Sequence, residues 1–200
     1  MNRSPQDDEL NLAWLDWWQR GFWLQADRSW HNSRFATLSD DQQQRFLHQH
    51  AAVLQQSLAI PPTPVTAPQP LILAISALTP QGRQLLLDLV AEICGCAMPL
   101  PSEMKIWCRR LAKGLRPASW LPPALFASGQ PADSLLLLHA LWPAGWPRLQ
   151  LLFPQPRVKD SAPPPAVAAD RLQPLWQAAL WQCQRHDLID NQPGDAYVES

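Results

Sequence analysis

The sequence predicts a mainly α-helical protein, a single helical domain of about five helices joined by proline-rich linkers. Three observations predict it. Apolar residues recur at three- and four-residue spacing through most segments. They make up 46% of the 200 residues, enough to build a core. Finally, 22 prolines against 7 glycines punctuate the chain into short elements.

The N-terminal segment, 1–60, is tryptophan-rich. Its first periodic stretch, about Leu10 to Gln25, holds Trp14, Trp17, Trp18 and Trp23, with Trp30 close behind. On an ideal helix Leu10, Trp14, Trp17, Trp18 and Gly21 share one face, which reads as core. Leu12 and Trp23 fall nearly opposite, beside Asp16 and Gln19. Such a helix is either sandwiched or offers its second side to a partner. Trp23 and Trp30 are left without a core position. Ser39 then caps a helix, Gln42 completes a capping box, and Asp40 and Asp41 sit at the positive end of its dipole. Phe46, His50, Leu54 and Leu58 form its apolar stripe, which makes His50 a core histidine. The helix ends near Ile60, where "PPTPVTAPQP" (61–70) reads as an extended linker or a wrapped arm.

The central region, 71–153, opens with "LILAISAL", which fits a buried strand or a helical turn equally. Thr79-Pro80 starts a helix carrying Leu85, Leu86, Leu89, Val90 and Ile93, with Gly95 as its stop. Another helix begins near Ser102, carries Ile106, Trp107, Arg110 and Leu111, and ends at Gly114. The run "DSLLLLHALWPAGWPRLQLLFP" reads as a short helix up to Trp142 and then an extended segment through Phe153. A short β-hairpin around 135–153 is the competing reading. A second proline-rich linker follows at 154–167. The last segment, 168–200, comprises a helix to about Arg185 and a polar tail, with Leu172, Leu175, Trp176, Ala179, Leu180 and Cys183 on one stripe.

Composition narrows the function. The net charge is −1 and no basic run exceeds Arg109-Arg110, so the footprint of a nucleic-acid binder is missing. The start "MNRSPQDDEL" has no secretory pattern, and no apolar run approaches the ~20 residues of a membrane span. A cytoplasmic protein without membrane insertion is expected. Cys94, Cys96 and Cys108 lack the paired spacing of a zinc site, and buried thiols account for them. His48 and His50 point to different helix faces, and His139 lies in a leucine run. Cys108 with His139 lacks any local feature that activates a thiol. The glycines are scattered singly, so no phosphate loop exists. No catalytic, metal or cofactor site is expected.

What stands out is eleven tryptophans among only 16% charged residues. Tryptophan serves cores and binding hot spots alike, and sparse charge leaves surface that other chains cover. Trp14, Trp17, Trp18, Trp23, Trp30, Trp142 and Trp146 are the candidate partner-binding residues, with Trp23 the first candidate anchor. Trp142 and Trp146 stand on the "WPAGWP" turn, where a core seldom places indoles.

In size, in Leu/Trp/Pro-rich helical character and in the run "DSLLLLHALWPAGWPRLQLLFP", the chain resembles the small accessory proteins of bacterial type III secretion systems. It resembles especially the adaptor of the sorting platform, which links the inner-membrane ring to the cytoplasmic pods. That resemblance implies a cytosolic subunit that docks other protein subunits. The expected function is therefore a non-enzymatic protein-binding adaptor that buries indole and leucine surface from 14–30 and 142–153 against its partners. A chaperone for a single client and a helical small-molecule or lipid-binding protein are the alternatives.

Overall fold

A computed structural model describes residues 4–31, 35, 37–122, 125, 133–159 and 163–190 of the chain. Among them every regular element is helical. The expected polar tail lies, from residue 191 on, outside the described residues.

Helix α1 (Pro5–Asp16) starts on a Ser4–Asp7 capping box with Pro5 at its first position. It continues through a π-helical turn (Trp17–Gly21) into a short α-turn (Phe22–Leu24). Helix α2 (Asp40–Ser57) begins on the expected Ser39–Gln42 capping box. The remaining long elements are α3 (Pro70–Ala77), α4 (Pro80–Ile93), α5 (Ser102–Leu115), α6 (Ser134–Leu141) and α7 (Ala169–Asp190). Thr79 caps α4, its Oγ1 accepting from the Gly82 amide at 3.0 Å. Beyond its end Gly95 takes a φ of 98°, the left-handed conformation that glycine adopts without penalty.

Helix α4 is the centre of the molecule. It packs against α5, α6 and α7 at once, so its buried set runs round the helix: Leu86, Leu87, Leu89, Val90, Ala91 and Ile93. Helix α7 lays Leu172, Leu175, Trp176, Ala179, Leu180 and Cys183 on this centre, the stripe its spacing predicts. Two buried side chains of this centre find backbone acceptors. Ser134 Oγ donates to the Leu87 carbonyl at 2.7 Å, and Cys183 Sγ donates to that of Gly82 at 3.2 Å.

Two expectations change, and one pair of alternatives is decided. The 135–153 stretch is neither a hairpin nor an extended segment. Helix α6 is followed by helical turns at Pro143–Gly145, Trp146–Leu149 and Gln150–Leu152. Pro143 and Pro147 each occupy the start of such a turn, where a missing N–H and a fixed φ cost nothing, so "WPAGWP" restarts a helix twice. "LILAISAL" is helix α3, begun by Pro70. His50 is exposed rather than core, its ring 4.7 Å from that of Phe46, because α2 buries only Leu47 fully.

The first proline-rich segment is a wrapped arm. Ile60 is buried, the Trp14 indole N–H donates to the Thr66 carbonyl at 2.8 Å, and Arg148 donates to Thr63 Oγ1 at 3.1 Å. The second begins with a helical turn, Gln155–Lys159, whose first amide donates to Ser29 Oγ at 2.8 Å. Residues 160–162 of that linker lie outside the described residues. The N-terminal tryptophans and the 142–153 turns thereby share one hydrophobic core with α4 and α7.

Candidate protein-docking surface

The structure turns most of the seven candidate tryptophans inward. Trp14, Trp17, Trp18, Trp23 and Trp146 are buried, and Trp30 and Trp142 are half-buried. Trp14, Trp17 and Trp18 meet Trp142 with ring centroids 5.4, 6.1 and 6.0 Å apart, and Trp14 stacks on Trp17 at 5.3 Å. Trp30 donates its indole N–H to the Phe153 carbonyl at 2.8 Å. A Cβ added to Gly145 would overlap the Trp142 ring, so only glycine lets that indole lie across the turn.

Trp23, placed opposite the core by an ideal helix, is 5% exposed. The π-turn is the cause. It inserts one extra residue into the helical repeat and rotates everything after it by about 100°. Phe22 and Trp23 are thus brought to the side already occupied by Trp14, Trp17 and Trp18. Trp23 then packs against Phe35 at 5.6 Å and His31 at 4.8 Å. Replacing it with alanine therefore tests folding, not docking.

Within this cluster lies Arg148, 2% exposed. Its guanidinium sits 4.2 Å from the Trp18 ring centroid and 5.8 Å from that of Phe22. Burial lowers its pKa, yet a guanidinium stays charged in proteins, and the aromatic faces supply its counter-field. This is an internal cation–π clasp rather than an access point for a ligand.

The apolar groups left outside are Leu12 and Leu15 on α1, Val53 on α2, Val65 in the arm, Ile106 on α5 and Trp181 on α7. Trp181 is exposed, at 54%, and Arg185 lies 5.5 Å from its ring. Beside it, α5 and α7 enclose a groove of about 370 Å³ lined by Glu103, Met104, Trp107, Gln182, Arg185 and His186. The outer face of α5 continues this surface with Ile106, Arg109, Arg110 and Lys113, all exposed. Half-buried and exposed indoles, methionine and arginine around one groove form the composition of a binding hot spot.

None of these four groups (Trp107, Trp181, Arg185, Ile106) was singled out as a binder by sequence reasoning. The available signal is that residues 105–116 carry Lys105, Arg109, Arg110, Lys113 and Arg116 with no carboxylate among them. The cations are interrupted by apolar positions, so they form no run.

Elsewhere the chemistry is muted. Burial pushes the Cys94 thiol up to about 12, with Cys96 adding to the rise. Burial, with Glu92 adding, does the same to Cys108, so neither is a ready thiolate. Among the described residues no group of three His, Cys, Asp or Glu side chains is placed to hold a metal ion, and no helix is long and apolar enough to cross a membrane. Comparison with protein-family models, curated proteins and solved structures finds no match to this chain.

Proposed function

We propose that the chain is a non-enzymatic, protein-binding adaptor subunit, of the kind that links components of a bacterial secretion apparatus. The supporting observation is the α5–α7 surface: a groove between two helices lined by Trp107 and Arg185, with Trp181 against Arg185 and Arg110 exposed on the outer face of α5. A helical or extended segment laid there covers indole and aliphatic surface while its carboxylates meet guanidinium groups. The tryptophans near the N-terminus contribute indirectly, by stiffening the body that carries this surface.

The test is co-purification of tagged protein from its native cytosol, comparing the wild type with Trp181→Ala/Arg185→Glu. Both positions are exposed, so the variant keeps the wild-type helical circular dichroism. The expected result is one or a few stoichiometric proteins recovered with the wild type and lost, or reduced at least about tenfold, with the variant. Equal recovery by both would remove the α5–α7 surface from the proposal.

A further inference from the structure

We infer that the outer face of α5 receives helix α1 of a second copy of this chain; this rests on reading α5–α7 as a docking surface and assigns its α5 side to that copy. The two faces are opposite in charge and alike in plan. On α1, Asp8, Glu9, Leu15 and Asp16 all lie within about 60° of Leu12 around the helix, and all five are exposed. Leu12 is 67% exposed and Leu15 41%, which is a large apolar outlay for a 12-residue helix. On α5, Glu103, Arg109, Arg110 and Lys113 lie within about 60° of Ile106, and these five are likewise exposed. Trp107 flanks them on the groove side.

Laid antiparallel, the two faces match along their length. Asp8 and Glu9, near the start of α1, fall opposite Arg110 and Lys113, near the end of α5. Leu12 and Leu15 meet Ile106 and Trp107. Asp16, already paired with Arg20, brings that arginine towards Glu103. The parallel arrangement would instead set Asp8 and Glu9 against Glu103. Within one chain α1 packs on α3, whereas α5 packs on α4, and the outer faces of both stay exposed. Because α1 of one copy meets α5 of another, the contact closes as a two-fold dimer where both pairings form at once, and extends to a ring or a chain of copies where they do not. A contact between two short helices is at the small end of specific interfaces, so association is expected in the range of about 10–500 μM.

The experiment is analytical ultracentrifugation of the full chain from about 5 to 500 μM, at about 50 mM and about 500 mM salt. The expected mass average rises with concentration at low salt and falls back towards the monomer at high salt. Arg109→Glu/Arg110→Glu and Asp8→Lys/Glu9→Lys are each expected to stay monomeric alone. Mixing the two variants is expected to restore association, because each reversed face then meets its complement. Leu12→Asn with Ile106→Asn, which leaves charge untouched, is expected to abolish association at both salt levels.

A wild type that is monomeric throughout overturns the proposal, as does association that survives both charge reversals or a mixture that stays monomeric. Monomeric protein that sediments with vesicles of phosphatidylglycerol and phosphatidylcholine would overturn it in favour of a lipid surface. None of these outcomes touches the co-purification test with Trp181→Ala/Arg185→Glu, which judges the docking surface separately.

Discussion

Among single residues, Arg148 shows how the tryptophan cluster is held together. Its guanidinium lies over the rings of Trp18 and Phe22 and donates to the Thr63 hydroxyl, while the whole side chain is buried. Truncation and neutralisation should therefore separate. Arg148→Ala leaves a cavity among aromatic rings and is expected to cost about 3–5 kcal/mol. Arg148→Met keeps most of the volume and sheds a desolvated charge, so its cost should stay below about 1.5 kcal/mol. Urea unfolding of both variants decides the matter: equal losses would mean the charge, not the stem, stabilises the cluster. Burial also outweighs hydrogen bonding here, since the indole N–H groups of Trp17, Trp23 and Trp176 are buried without an acceptor. An orphaned donor costs about 1–3 kcal/mol, so these rings stay inside because their packing returns more. At this scale the sequence was legible only in part. Trp14, Trp17 and Trp18 were read correctly as a core face. The burial of Trp23 was hidden, because a helical wheel assumes 3.6 residues per turn and nothing in "WWQRG" announces a π-turn.

For elements, the legible features were those governed by local chemistry. Ser39 with Gln42, Thr79-Pro80 and Gly95 each mark a helix boundary through one side chain or one dihedral angle, and the structure places the boundaries there. Segments decided by tertiary contacts were ambiguous. "LILAISAL" is almost wholly apolar and 135–153 mixes leucine runs with His139, Arg148 and Gln150, so neither carries a decisive period; α1 and α7 cover the first, and α4 and α7 cover α6. The candidate surface on α5 and α7 was hard to see for a related reason: charge spread over one face of α5 looks unremarkable in a linear reading. Helix α7 carries one feature that opposes its own stability. Pro174 lies inside it, exposed, where its ring removes a backbone donor. Pro174→Ala is expected to stabilise the protein by up to about 3 kcal/mol, seen as a higher urea midpoint with an unchanged slope. A lower midpoint would show that α7 bends at Pro174 in order to pack.

At the scale of the molecule, stability should depend on pH through two imidazoles held in the body. Burial lowers the pKa of His31 from its usual 6.5, opposed by its contact with the Trp23 carbonyl and by Asp27. Burial also lowers that of His139, whose ring stacks on Trp146 at 4.5 Å. Above about pH 6.5 both imidazoles are neutral whether the chain is folded or unfolded, and their full contribution is present. As the pH falls below that value, the unfolded chain takes up protons that the folded protein refuses. The unfolded state then binds more protons, so stability drops until the pH passes the lowered folded values. Asp88, raised by burial, acts with the opposite sign among the carboxylates. The informative window is therefore about pH 7.5 down to about 5.5, above the ordinary carboxylate range. Thermal melts across it should show the midpoint falling with pH, and His31→Phe/His139→Phe should flatten that slope while keeping both rings in place. A wild-type midpoint that rises on acidification would mean that these imidazoles are charged inside the fold. The aromatic packing around Trp23 and Trp146 would then have to be held by a different balance of forces.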